Sequence, residues 1–342
     1  MIPLARKLQE YDNRIFIGTG RDHQILFRNE LSDITYIDFQ GFKPDYSRFL
    51  PQYISLLLKT PVLVFHIISE HFQLKKIIKE NKIDIVISDN RFGLWNRKIK
   101  TVYVTHQLRI PFPGKLKIFE WTGIRIHRFF IKKYSLCFIP DLPGEQNISG
   151  RLAHDLDLPE NYRFIGILSR FINCPDSHEE KKFDFPHNTL ILSGPEPQRG
   201  ILKKKLIVFL KDKEPPTVIL EGKPDTFPEI KRSGNIISYN HLSSGEMKEM
   251  VKGSNCIITR SGYTVIMELI SLNCSALLIP TPGQTEQEYL AEYLSSKGWF
   301  TFAPQKSLNH GLTLITGKPV NSDELLNESR ILLEKALNEL LK

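Results

Sequence analysis

Residues 255–298 constrain this chain more than any other stretch, because they read as two consecutive strand–loop–helix units. A short apolar run at 256–259 meets the break Arg260, Ser261, Gly262, after which Val265, Leu269 and Leu272 recur at helical spacing. That spacing predicts a helix from Tyr263 or Thr264, with Thr264, Glu268 and Ser271 on its opposite stripe. A second apolar run at 276–279 ends in Pro280, Thr281, Pro282, Gly283 and Gln284. A further helix is expected from Thr285, with Glu288 in capping-box position. Strand ends followed by helix starts make a sheet edge suited to anions, because helix N-termini present unpaired amides and the positive end of the macrodipole. Ser261 and Gly262 let phosphates approach the backbone, and a carboxylate such as Glu268 suits a ribose diol. The same pattern also describes an ordinary α/β unit with a glycine turn.

With 342 residues the chain has material for about two domains. Its apolar content of 41% and charged content of 25% are those of a soluble globular protein. Cys137, Cys174, Cys256 and Cys274 lack metal-ligand spacing, so reduced core cysteines are expected, with no disulfide, no zinc and no other metal. The longest apolar stretch, 62–68, is far too short to span a bilayer. Charge is distributed unevenly. Residues 1–170 carry 26 Lys and Arg against 17 Asp and Glu, whereas residues 171–342 carry 20 against 21. Within the first half, residues 91–133 hold 11 basic residues and a single acid, Glu120. Such a patch could face anionic lipid, nucleic acid or a phosphorylated acceptor.

In chain order, residues 1–10 look helical, and strands are expected at 14–17, 34–39, 83–87 and 101–105. Residues 50–82 read as helix broken near Pro61. Asp89 and Asn90 follow one strand, His106 and Gln107 another, on the carboxyl edge where open α/β sheets bind ligands. His106 is the proton-transfer candidate in this half, with Asp89 beside it, although a histidine after a strand is also a common structural residue. From 115 to 134, helical phasing gathers Leu116, Phe119, Ile126 and Phe130 on one side, with Lys117, Trp121, Arg125, Arg128 and Lys132 on another. Basic residues interleaved with tryptophan suit a membrane headgroup layer, and equally a solvated face. No nucleic-acid motif accompanies them, so no nucleic-acid partner is expected. Residues 136–140 look like the last strand of a first domain, 1–170, and 171–187 have linker composition. Strands at 189–193, 217–221 and 235–239 then alternate with helices in a donor domain at 188–321. A helix at 322–342 closes the chain and is expected to pack back on the first domain.

The runs at 259–268 and 279–289, with Ser193, Gly194 and their neighbours and with 88–93, resemble the GT-B glycosyltransferases. They are most similar to the MurG-like group with a family 28 C-terminal-type donor domain. The resemblance covers nearly the whole chain and is specific in the carboxyl half. It implies an α/β fold of two Rossmann-like doubly wound domains facing a cleft. It places Ser261 and Gly262 at the donor diphosphate with Arg260 and Thr264 close by, and Glu268 at the ribose. Glu286 and Gln287 would meet the sugar, Gly194 and Arg199 the phosphates from across the site, and His241 and Leu242 the base.

The implied reaction is an inverting, metal-independent transfer from a nucleotide sugar, expected to be UDP-linked, with no cofactor. The acceptor would be lipid-linked or a surface glycan, and the protein cytoplasmic and bacterial, peripheral at the inner membrane face through 91–133. The family's glycine-rich loop, often bearing the basic histidine, would precede residue 1. An upstream extension of about 10–20 residues is therefore expected, and His106 stands in as candidate base. A non-catalytic nucleotide-sugar-binding subunit and a GT-B sugar-nucleotide 2-epimerase are the alternatives.

Overall fold

The computed structural model describes the chain apart from residues 42–59, 113, 175–181, 224–228, 311–313 and 315–316. The chain forms two compact units, each assembled from two segments. One unit comprises Met1–Gln40 and Leu168–Ser322; the other comprises Gly41–Ile167 and Asp323–Lys342.

In the first unit, strands β7 (His187–Ile191), β8 (Thr217–Leu220), β9 (Ile230–Ser233), β10 (Ile236–Tyr239), β11 (Ser254–Thr259), β12 (Leu277–Leu278) and β13 (Thr301–Phe302) form one sheet. Its order is β13-β12-β11-β7-β8-β10-β9. Every pair is parallel except β9 against β10. β7, β8 and β11 are almost wholly buried, as parallel strands covered on both faces must be. Their cover includes α5 (Gln198–Leu210), which presents Leu202, Leu206 and Leu210 at successive i+4 positions to Leu190, Ile219 and Ile258. The short edge strand β9 is exposed along its length and carries Lys231 and Arg232, a polarity that conceals it in the sequence.

Residues 1–40 belong to this unit, which moves the division away from a single break near 170. They supply α1 (Ile2–Gln9), β1 (Phe16–Thr19), α2 (Arg21–Arg28) and β2 (Thr35–Asp38), with β1 and β2 in a parallel pair of their own. Hydrogen bonds from Arg6 and to Glu30 fasten them. Arg6 donates to the Glu30 carboxylate and to the carbonyl of Arg170, and Ser244, which opens α6 (Ser244–Lys252), donates to Glu30.

The second unit holds a four-stranded parallel sheet of β3 (Ile85–Asp89), β4 (Lys100–Val104), β5 (Leu136–Ile139) and β6 (Tyr162–Phe164), in that order. β5 is therefore followed by one more strand. The helix α3 (Thr60–Asn81) carries Pro61 in its first described turn, and the preceding part of that expected helix lies outside the described residues. Residues 114–119 are 3₁₀ and α4 runs from Glu120 to Ile131. The change of pitch shifts the expected phase. The inward stripe is Glu120, His127 and Ile131, while Leu116, Phe119 and Ile126 are exposed.

The closing helix α9 (Ser322–Leu341) groups with the second unit from Asp323 onward. Gly166, at φ +72°, admits the helix so closely that a Cβ there would lie 2.3 Å from the Cα of Ser329. The amide of Ile167 donates to Ser329 Oγ at 2.9 Å, and Arg163 makes two 2.7 Å contacts with Glu339.

His127 sits beside Phe92 and Tyr103, its ring centroid 5.1 and 6.4 Å from theirs, and its Nδ1 is buried without a hydrogen-bond partner. Burial pushes its pKa down to about 4. The unfolded chain binds a proton below pH ~6.5 that the folded chain refuses. Stability should thus decline as pH falls from about 6.5 to about 4, by roughly 3 kcal/mol. Denaturant titrations across that range measure the slope, and His127→Leu should flatten it.

Candidate functional site

The carboxyl edge of the seven-stranded sheet collects the predicted donor residues of the first unit. β11 lies beside β7, with Thr259 in register with Ile191, so the loop 260–262 emerges next to the loop that contains Gly194. β12 lies on the other side of β11 and delivers 280–284.

Arg260 organises this edge. Its side chain is 1% exposed. Nη1 donates to the carbonyls of Ile279 and Pro280 at 3.0 and 3.1 Å; Nη2 donates to the carbonyl of Gln198 and to Gln305 Oε1 at 3.1 and 2.8 Å. One guanidinium thereby ties the loop after β12, the start of α5 and Gln305 to the end of β11. Every one of these partners is neutral, and burial lowers the Arg260 pKa to about 10, still leaving it charged at neutral pH. Both terminal nitrogens are engaged with protein oxygens, so Arg260 acts on this edge as a fixed buried charge.

Ser261 and Gly262 follow. Ser261 is fully buried and its hydroxyl donates to the carbonyl of Gln287 at 2.7 Å, which joins this loop to α8 (Thr285–Ser296). Gly262 is the N-cap of α7 (Tyr263–Ser271), in extended conformation and without a capping side chain. A Cβ at Gly262 would meet nothing within 4 Å, so neither packing nor φ demands glycine there; the space in front of the helix N-terminus is open. Gly194 has the same open space and a φ of +89°, which does require glycine. Thr264 is exposed in the first turn of α7.

The loop before α8 is braced differently from the expected capping box. Gln284 is the N-cap and makes no side-chain cap. Glu288 instead accepts from the amide of Gly283 at 3.0 Å, and Gln287 Oε1 accepts from the amide of Thr281 at 2.9 Å. Glu286 lies half-buried one residue before Gln287.

On the β8 side, Arg199 bridges Glu196 and the carbonyl of Gly222, each at 3.0 Å. The Glu221 carboxylate holds both Lys203 and Lys223. After β10, Asn240 Oδ1 accepts from the amides of Glu229 and His241, fixing the turn, with Leu242 buried and His241 partly so. Burial and the charge of Arg170 hold the His241 pKa below its ordinary value.

Glu268 lies on the buried side of α7 and is 6% exposed. Its Oε1 is 2.9 Å from Nε of Arg170. Sequence reasoning missed Arg170, and also Arg6 and Glu30, which cluster nearby. No local pattern announces them, since they come from segments far apart in the chain.

In the second unit, Asp89 ends β3 in register with Val104, the last residue of β4, and His106 follows two residues later. Both predicted proton-transfer candidates therefore occupy one sheet edge, Asp89 exposed and His106 half-buried. Beside them, after β5, the fully buried Asp141 accepts from the amides of Leu142, Ile148 and Ser149 and stands 3.0 Å from His154 Nε2. Among the described residues, no group of His, Cys, Asp and Glu is arranged to hold a metal ion. Cys137, Cys174 and Cys256 are buried free thiols.

The fold is that of the GT-B glycosyltransferases. Over 99% of this chain it matches the glycosyltransferase SnogD from Streptomyces nogalater, covering 91% of that chain with a TM-score of 0.58 at 12% identity. It matches spinosyn rhamnosyltransferase SpnG complexed with thymidine diphosphate over the whole chain and 92% of SpnG, with a TM-score of 0.60 at 11% identity. Residues 223–328 match the glycosyltransferase family 28 C-terminal domain. An uncharacterized glycosyltransferase of Methanosarcina acetivorans is 26% identical over 66% of this chain. The UDP-N-acetylglucosamine–N-acetylmuramyl-(pentapeptide) pyrophosphoryl-undecaprenol N-acetylglucosamine transferase of Lactococcus lactis is 25% identical over 80% of this chain and 71% of its own length. The chain spans 60% of the length of the Methanosarcina relative. In sequence the chain is thus similar to the MurG-type transferases over most of its length, with a glycosyltransferase family 28 C-terminal domain match at 223–328, and its fold is the GT-B fold.

Proposed function

We propose that the chain works as an inverting, metal-independent glycosyltransferase, taking a sugar from a nucleotide donor, expected to be UDP-linked, to a lipid-linked or glycan acceptor. The observation that carries this reading is the positive, open edge at 260–262. A buried guanidinium without an anionic partner among the described residues stands directly before a helix N-terminus whose amides are uncapped. A diphosphate leaving group gains negative charge at its outer oxygens as the glycosidic bond breaks. Fixed amides and a buried cation stabilise that charge without rearrangement. The diphosphate in the SpnG structure and the nucleotide-sugar donors named for the Lactococcus and Leptospira relatives support the same reading.

Inversion requires one base to take the acceptor proton, and His106, at the end of β4, has the chemistry for it. In a transfer assay with UDP-sugars, His106→Ala should lower kcat by about 10²–10⁴-fold while nucleotide binding by calorimetry stays intact. Donor binding without transfer or hydrolysis in the unaltered protein would instead favour a non-catalytic subunit. Conversion of UDP-N-acetylglucosamine without acceptor would favour a 2-epimerase.

A lipid-linked acceptor calls for a membrane surface, and the second unit carries a face suited to one. α3 exposes Val62, Phe65, Ile68 and Phe72 along one stripe, with Phe65 70% exposed. The segment leading into α4 adds Ile118 and Phe119, and α4 adds Trp121, Ile126 and Phe129. Trp95 joins the two helices, stacked 4.0 Å from His71, with Lys133 Nζ 4.7 Å from its ring and 4.4 Å from that of Phe129. Glu120, the only acid of 91–133, is buried, with its Oε1 accepting from the Phe112 amide and its Oε2 3.6 Å from Arg151. The outward charge of that stretch is therefore cationic, around an aromatic surface, which fits an anionic bilayer at the cytoplasmic face. Sedimentation with anionic vesicles should show binding that Phe65→Ser, Phe72→Ser and Trp121→Ser together abolish; unchanged binding would refute this docking face.

A further inference from the structure

In the second unit two arginines converge on one carboxylate, and neither is hydrogen-bonded to it. Arg109 follows β4 and Arg151 follows β5, neighbouring parallel strands, so both loops leave the same carboxyl edge. They share Glu120, the first residue of α4: its Oε2 is 4.0 Å from Arg109 Nε and 3.6 Å from Arg151 Nη1, each longer than a hydrogen bond. Its Oε1 is engaged by the amide of Phe112 at 3.0 Å. Arg109 Nε is a buried donor with no hydrogen-bond partner among the described residues, and Arg109 Nη2 is at the limit of bonding to the carbonyl of Asp155, 3.5 Å away. A buried donor left in this state costs free energy until an acceptor reaches it.

The frame around the two arginines is firmly braced. The carbonyl of Leu152 accepts from the amides of Leu108 and Arg109, each at 2.9 Å, which joins the two loops. The loop that carries Arg151 is wound around the buried carboxylate of Asp141, which accepts from the amides of Ile148 and Ser149 at 2.8 and 2.9 Å and pairs with His154 Nε2. Asn147 Oδ1 accepts from the amide of Gly150 at 2.8 Å, where the 3₁₀ turn Gly150–Leu152 begins. This bracing holds two cations beside one acid, whereas a single bidentate arginine would satisfy that carboxylate.

We infer that Arg109 and Arg151 form an anion subsite for a phosphate monoester, with Glu120 holding the two guanidiniums partly neutralised until the anion arrives. Two cations against one carboxylate leave one positive charge over. A phosphate dianion has three outer oxygens and accepts from both guanidinium forks at once, which the single free oxygen of Glu120 does not. The side chains of Arg151 and Arg109 are 31% and 19% exposed against 11% for Glu120, so an entering anion meets the arginines before the acid. Ile118, Phe119 and Trp121, next to Glu120 in sequence, are exposed and give an apolar carrier of the phosphate a surface beside its charged end. The subsite lies wholly in the second unit and is independent of the nucleotide reading of the first.

Glu120 sets the strength of the subsite, because it competes with the anion for both guanidiniums. Glutamine at this position keeps an oxygen for the Phe112 amide and removes the negative charge. Loss of the acid and loss of either arginine therefore act on phosphate binding with opposite signs. In a purely structural cluster both changes bring only a loss of stability.

The test is calorimetry of the full chain with inorganic phosphate and with farnesyl phosphate, and sedimentation with phosphatidylglycerol vesicles, for the wild type, Arg109→Gln, Arg151→Gln and Glu120→Gln. Each arginine variant should weaken phosphate binding about tenfold, and Glu120→Gln should strengthen it several-fold. The ligand that binds more tightly in this pattern names the source: inorganic phosphate a free anion, farnesyl phosphate an apolar carrier. A gain in Glu120→Gln does not arise from unfolding, so it decides the matter where an arginine variant is unstable. Unchanged affinities in the arginine variants, a Glu120→Gln chain that binds no better than the wild type, or binding to vesicles with neither phosphate bound would overturn the subsite.

Discussion

The first unit depends on one buried guanidinium. A parallel sheet leaves its loops to find their own partners at the carboxyl edge, since the ladder ends with the strands. Arg260 meets that need for carbonyls from the loop after β12 and from the start of α5, and for the side chain of Gln305. A charged donor makes stronger hydrogen bonds than a neutral one, and the planar fork of arginine reaches acceptors that lysine cannot span. The same choice leaves a positive charge inside the protein with only dipoles around it. Burying it that way is costly, and the cost falls when an anion arrives at the adjoining helix terminus. Structure and binding are thus served by one side chain, which explains why the edge is both rigid and electropositive.

Much of this edge was legible in the residues. Short apolar runs, each followed within four residues by glycine, proline or serine, mark β7, β8, β10, β11 and β12, and the phase of Val265, Leu269 and Leu272 marks α7 from Tyr263. Local signals suffice there because burial on both faces forces a continuous apolar run. Arg260 was visible as a residue of the site, but its role was not. Whether an arginine grips a ligand or its own main chain depends on carbonyls 19, 20 and 62 positions away in sequence. The same holds for Glu268, whose partner Arg170 is brought to it only by the packing of the segment before the Ser169–Ser271 contact.

Other misreadings have local causes. The α4 face was assigned from an unbroken helix, and six residues of 3₁₀ geometry were enough to turn Leu116 and Phe119 outward. The exposed stripe of α3 had a readable signal, apolar residues at 62, 65, 68 and 72, yet such spacing ordinarily denotes a buried face. Only the burial pattern separates the two cases. The division of the chain was likewise hidden, because what fastens residues 1–40 to the unit of 168–322 is a set of contacts from Arg6 and Glu30 to partners well over a hundred residues away.

The central claim is that the opening of α7, backed by Arg260, is a diphosphate site. The most direct measurement is a crystal structure of the protein with a bound nucleoside diphosphate. The account predicts that the phosphates lie within hydrogen-bonding distance of the backbone amides at 262–264, with the Arg260 guanidinium still engaged by its four oxygens. A diphosphate bound elsewhere on the molecule, with this helix terminus facing only solvent, would contradict it.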